Sequence, residues 1–122
     1  GEDNENSVVC LLEMKNARML FTGDLEGAGE TALLERGADV RADVLKVAHH
    51  GSRNATSEAF LAAVDPTWAL ISTRGDASRD LAPVMARLRK RGVQVLRTDA
   101  HGQIRLRTDG QRWRVTTFLQ GE

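Results

Sequence analysis

Asp43-Val44-Leu45-Lys46-Val47-Ala48-His49-His50-Gly51-Ser52 is the stretch on which the fold turns. Four apolar residues interrupted by one lysine predict a buried strand over Asp43 to Ala48, and the strand runs straight into two adjacent histidines. Upstream, Leu20-Phe21-Thr22-Gly23-Asp24-Leu25-Glu26 repeats the arrangement, with a β-favouring run from Arg18 to Thr22 that ends on a carboxylate. A carboxylate after one strand and a histidine pair after the next are hard to explain by packing alone. Asp24 has a structural alternative, as N-cap of a helix that begins at Leu25. Neutral imidazole is the commonest biological metal ligand, so His49 and His50 favour a metal site. Successive strand residues point to opposite faces, so one of the pair is expected to be a ligand and the other to orient substrate or a supporting group.

Working outward, Val8 to Glu13 pairs with Arg18 to Thr22 as an antiparallel hairpin turning at Lys15-Asn16. A helix is expected from about Leu25 to Arg36, closed by Gly37. Asn54 to Glu58 supplies capping oxygens, which start a second helix near Ser57 that ends before Pro66. Trp68 to Ser72 reads as a strand, Ala82 to Arg91 as a helix stopping at Gly92, and Val93 to Arg97 as a strand. Two alternating runs, Gln103 to Thr108 and Arg112 to Phe118, flank the hairpin signal Asp109-Gly110. Alternating strands and helices give an α/β architecture with a mixed sheet, flanking helices and a C-terminal hairpin. Its sheet edges need cover from another chain or segment.

The 122 residues are 41% hydrophobic and 28% charged, ordinary for one globular domain, and no run approaches a membrane-spanning length. The acidic start Gly1-Glu2-Asp3-Asn4-Glu5 lacks the basic region of a signal peptide, so the chain is expected to be soluble. Cys10, in Val8-Val9-Cys10-Leu11-Leu12, reads as a small buried hydrophobe. Net charge is zero, yet residues 1–61 hold 6 Lys/Arg against 11 Asp/Glu and residues 62–122 hold 11 against 6. The basic half includes Arg87, Arg89, Lys90, Arg91, Arg97, Arg105, Arg107, Arg112 and Arg114, read either as solvated faces or as a surface that attracts phosphate. Two tryptophans, three phenylalanines and no tyrosine leave few platforms for base stacking.

Three segments together carry a family resemblance: Val8 to Leu12, Leu20 to Glu26, and Ala42 to Ser52. Thr-Gly-Asp followed some two dozen residues later by Asp-Val-Leu-Lys-Val-x-His-His-Gly-Ser resembles the metallo-β-lactamase-type domain of ComEC-type DNA-uptake (competence) proteins. Arg97-Thr98-Asp99 with Gly102 is similar to the family's late turn. The resemblance implies one half of an αββα sandwich and a site for two divalent metal ions, zinc or manganese. Asp24 matches the bridging aspartate, the His49-His50 segment matches the last histidine ligand, and Ser52 is placed to contact a phosphate. The implied function is a two-metal nuclease that degrades the non-transported strand of single-stranded DNA, beside a membrane channel, on the extracytoplasmic side of a bacterial inner membrane.

Two departures bear on that function. The family's His-x-His-x-Asp-His cluster is absent, since His49, His50 and His101 are the only histidines. It belongs to an N-terminal half expected upstream of Val8, so the piece alone is expected to be inactive, to expose an apolar sheet face and to tend to dimerise. Relatives often carry Gly-His-Pro before the third helix, where this chain has Ser78-Arg79-Asp80-Leu81-Ala82-Pro83. The alternative is therefore a degenerate, non-catalytic DNA-binding or assembly module of the same fold. His101 matches no ligand and reads as a turn residue.

Overall fold

The computed structural model describes residues 9–23, 25, 27–47, 56–71, 78–97 and 104–117. Five strands form one mixed sheet: β1 (Cys10–Met14), β2 (Ala17–Phe21), β3 (Val44–Lys46), β4 (Trp68–Ile71) and β5 (Gln94–Arg97), side by side in chain order. The β1–β2 pair is antiparallel, turning at Lys15-Asn16 with Lys15 at φ 54, and the other three pairings are parallel. Helices α1 (Gly27–Glu35), α2 (Glu58–Val64) and α3 (Ser78–Lys90) make the crossovers. Right-handed crossovers that always step the same way put every helix on one face.

That face holds the larger core. Leu20, Leu45, Ala69 and Ile71 meet Phe60, Leu61 and Val64 of α2 and Val84, Met85 and Leu88 of α3, all buried. Full burial of a side chain such as Leu45 contributes roughly 2 kcal/mol. Both α1 and α3 stop as the sequence predicts. Gly37 N–H donates to the Leu34 carbonyl and Ala38 N–H to that of Leu33, and Gly92 and Val93 repeat the pattern on Arg89 and Leu88. Ser57 caps α2, its side chain accepting from Phe60 N–H at 3.2 Å.

The opposite face is covered by a separate hairpin of β6 (Ile104–Thr108) and β7 (Trp113–Thr117), in register Thr108↔Trp113. Met19, Val44 and Leu70 pack with Ile104, Leu106 and Trp113 in a second, smaller core. The layers are therefore helices, sheet and hairpin, consistent with part of a metallo-β-lactamase-type sandwich. The hairpin loop is the four residues 109–112, longer than a two-residue Asp-Gly turn, because Asp109 Oδ1 accepts the N–H groups of both Gln111 and Arg112. Gly110 sits at φ 97 against the Lys15 side chain, where an added Cβ would meet Lys15 Cδ at 2.7 Å. Its carbonyl accepts Asn16 N–H, which ties the hairpin tip to the β1–β2 turn.

Three expectations need correction. Cys10 is exposed, because it shares a face of β1 with Leu12 and Met14, which are 57% and 53% exposed beyond the hairpin's cover. Among the described residues the open apolar face expected of the sheet is limited to this row, since the hairpin covers Met19, Val44 and Leu70. Helix α3 begins at Ser78 rather than Ala82, so Pro83 lies inside it. A proline near a helix start forfeits a single intrahelical bond, and the helix continues upstream of it.

Asp43 joins the layers. Its N–H donates to the Arg18 carbonyl, and its own carbonyl accepts from Thr67 and Trp68. Its carboxylate accepts Arg18 N–H (2.9 Å), Trp113 Nε1–H (3.1 Å) and the Arg41 guanidinium (3.0 Å). Burial works to raise the Asp43 pKa, but the Arg18 amide, the Trp113 indole and the Arg41 guanidinium outweigh it and hold the carboxyl below its ordinary value. The stability gained from ionised Asp43 is thus present above the ordinary value of 3.8 and lost as pH falls through the lower folded-state value. Asp43→Ala should lower the unfolding free energy by about 2 kcal/mol at pH 7. In urea melts the gap between wild type and Asp43→Asn should shrink below pH 3.8; a gap constant down to pH 2 would contradict this role.

Candidate active site

Four parallel strands finish along one edge of the sheet. Phe21 pairs with Lys46, Lys46 with Leu70, and Ile71 with Arg97, so β2, β3, β4 and β5 end side by side. Ligands of open α/β sheets bind outside such carboxyl ends, where loops of different strands converge. The segments that follow these strands in sequence contain Asp24, then His49-His50-Gly51-Ser52, then Ser72 to Ala77, then Asp99 and His101. Asp24, His49, His50, Ser52 and His101 themselves lie outside the described residues.

The residues beside them are held by hydrogen bonds. Thr22 is buried, and its Oγ1–H donates to the Lys46 carbonyl at 2.7 Å, latching the exit of β2 to that of β3. Leu25 N–H donates to the Thr22 carbonyl at 2.9 Å, with Gly23 at φ 55, so the chain turns sharply on leaving β2. Val47 N–H donates to the Leu70 carbonyl at 2.9 Å and extends the β3–β4 pairing one residue past the ladder. Burial lowers the Lys46 pKa from its ordinary value. Because β3 ends at Lys46, strand alternation does not reach far enough to choose between His49 and His50.

Where the chain returns from the histidine segment, Glu30 of α1 receives it. Glu30 is 2% exposed, and its carboxylate accepts the N–H groups of Thr56 and, at 3.0 Å, Ser57. Thr56 is buried at φ 56, a left-handed conformation that costs a β-branched residue energy and persists only where its surroundings hold it. Thr22, Glu30 and Thr56 are the buried polar residues among those described, and all three brace this edge. The sequence reading missed Glu30. Its signal was a carboxylate in the apolar stripe of α1, three and four residues before Leu33 and Leu34.

A carboxylate and imidazoles suit a divalent cation of the zinc or manganese type. Among the described residues no group of three or more His, Cys, Asp and Glu is close enough to hold one. No described helix is long and apolar enough to cross a membrane.

The strand-end arrangement agrees with sequence comparison. Residues 2–75 match the metallo-beta-lactamase superfamily, and the chain belongs to it. Its relatives include competence proteins. It is 38% identical over 118 residues to ComE operon protein 3 of Bacillus subtilis, covering 94% of this chain and 15% of that protein. Competence protein ComA of Neisseria gonorrhoeae is 37% identical over 107 residues, covering 84% of this chain and 15% of the relative. Recombination protein 2 of Haemophilus influenzae is 36% identical over 107 residues, 85% of this chain and 13% of the relative. The chain thus spans 13% to 15% of the length of these relatives. Superfamily membership points to divalent metal in the full domain.

Removing the Glu30 carboxylate leaves two backbone donors without their acceptor. Glu30→Ala is expected to cost about 2 kcal/mol in chemical denaturation, and Glu30→Gln less, because its amide oxygen still accepts one bond. Equal losses in the two variants would show that something other than these bonds sets the cost.

Proposed function

We propose that this chain is the distal half of a metal-dependent hydrolase domain in a DNA-uptake protein, acting on the phosphodiester backbone of single-stranded DNA. The observation that carries the proposal is the adjacent ending of β2 and β3, latched by Thr22 to the Lys46 carbonyl, in a metallo-β-lactamase-superfamily chain similar to competence proteins. Asp24 and one of His49 and His50 would hold divalent ions there. The remaining ligands would come from the family's His-x-His-x-Asp-His cluster, upstream of Val8 in the N-terminal half of the domain. A bound pair of divalent ions supplies a nucleophile at neutral pH and neutralises charge on the leaving oxygen. Ser52 contacts the phosphate. Glu30 holds the return of the histidine segment, so that donors on two loops keep a fixed separation. The domain stands beside a membrane channel, on the extracytoplasmic side, and degrades the strand that is not transported.

A second reading, a non-catalytic DNA-binding or assembly module, is favoured by the absence of any histidine between Ser72 and Pro83. Hydrolysis of labelled single-stranded DNA by the protein extended through the upstream cluster, with manganese or zinc added, separates the two. Asp24→Ala and the double variant His49→Ala/His50→Ala are each expected to slow cleavage by roughly a hundredfold or more. Cleavage that persists in both variants would remove the assigned ligands. DNA bound but left intact with every metal would establish the module.

A further inference from the structure

The C-terminal hairpin has two unlike faces. Ile104, Leu106 and Trp113 turn toward the sheet. Strand alternation therefore sends Arg105, Arg107 and Arg114 outward, with Arg112 of the loop beside them, and all four are exposed. The register sets Arg107 directly opposite Arg114. Like charges facing each other across an antiparallel pair destabilise it, and among the described residues no salt bridge relieves Arg105, Arg107 or Arg114, while Arg112 lies in the field of the Asp109 carboxylate. An open cleft of about 450 Å³ at the hairpin tip is lined by Arg107, Arg112 and Arg114 together with Thr108, Asp109 and Trp113. The Asp109 carboxylate is engaged in closing the loop, accepting from Gln111 and Arg112 N–H at 2.8 and 2.9 Å.

We propose that this outer face of β6–β7 binds the sugar–phosphate backbone of single-stranded nucleic acid, as a track separate from the metal-binding edge. Arginines two residues apart on a strand lie about 6.8 Å from one another. A row of planar guanidinium forks at that spacing suits a linear chain of phosphates better than one compact anion. The tip of the hairpin lies beside the Lys15-Asn16 turn, at the end of the sheet opposite the strand ends at Phe21 and Lys46. A strand lying on it passes from the proposed hydrolytic edge along the second layer. Among the described residues this face shows no exposed large aromatic or aliphatic side chain to insert into a bilayer or between bases. Binding is therefore independent of base sequence. The choice of DNA rests on the hydrolase reading, whereas the polyanion track stands on the hairpin alone.

The test is fluorescence anisotropy of the full chain with a fluorescein-labelled oligothymidylate in EDTA, so that no hydrolysis intrudes. Arg107→Ala/Arg114→Ala should weaken binding about tenfold and reduce the slope of log affinity against log salt by about 1.4, two phosphate contacts' worth. The control, Arg36→Ala/Arg89→Ala, removes the same charge from the helix layer and should leave affinity within about twofold. Arg107→Lys/Arg114→Lys should retain most of the salt slope. Thermal melting guards against misfolding: relief of the facing charges should raise the midpoint of the hairpin variant or leave it unchanged. Equal losses in the hairpin and control variants, or no oligonucleotide binding by wild type, would overturn the proposal. So would hairpin-dependent binding to phosphatidylserine vesicles with none to DNA. Hairpin-dependent DNA binding here, together with no metal-dependent cleavage by the upstream-extended protein, would keep the track and remove the hydrolase; cleavage by the extended protein with binding here unaffected by the hairpin variant would do the reverse.

Discussion

Asp43 ties the start of β3 to everything around it, and the geometry of the opposite end of the sheet follows from that. Its backbone pairs with Arg18 on one side and with Thr67 and Trp68 on the other, and its carboxylate takes Arg18 N–H and the Trp113 indole. Strand register is the quantity at stake. A one-residue slip of β3 would exchange its two faces, turning Leu45 from the helix core toward the hairpin and Val44 the other way. With the register fixed at this end, the ladder needs only three residues, Val44 to Lys46, to deliver the strand beside Phe21 at the other. Thr22 then closes the second end with one part-buried hydrogen bond to the Lys46 carbonyl. A short strand held at both ends is what lets two loops emerge together.

Much of this was legible in the sequence because the relevant signals are local. The stops at Gly37 and Gly92, the Ser57 cap, the Lys15-Asn16 turn and the alternating C-terminal runs each depend on a few neighbouring residues, and each is found where expected. The superfamily was legible through the spacing of Thr22-Gly23-Asp24 and the segment ending at Ser52. What was hidden depends on partners distant in sequence. Cys10 reads as buried in its apolar run, but its exposure is decided by how far the β6–β7 hairpin reaches across β1. Glu30 looks like one more helix charge until Thr56 and Ser57, 26 and 27 residues away, arrive at its carboxylate. Asp43 looks like the first residue of a strand, and its bond to Trp113 spans 70 residues.

The two braces meet different needs. Asp43 is partly exposed and works through charge-assisted bonds at the entry to the sheet. Glu30 is enclosed and stabilises a backbone turn, with Thr56 in a left-handed conformation, next to the segment that carries the histidines. A strained turn held by a buried carboxylate is common where donors must keep a set position, because a loop that relaxes on its own would lose them. The acidic first half of the chain supplies these braces and Asp24, while the basic second half supplies the hairpin arginines. On the proposed function, the charge asymmetry of a neutral chain would divide a metal-facing part from a phosphate-facing one.

The central proposal, that the adjacent ends of β2 and β3 bring Asp24 and the His49-His50 pair to one metal centre, is tested most directly by manganese anomalous diffraction from crystals of the domain extended through its upstream cluster. The account predicts an ion with a carboxylate oxygen of Asp24 and a ring nitrogen of His49 or His50 each within about 2.2 Å of it. An ion bound without Asp24 and without either histidine would contradict it.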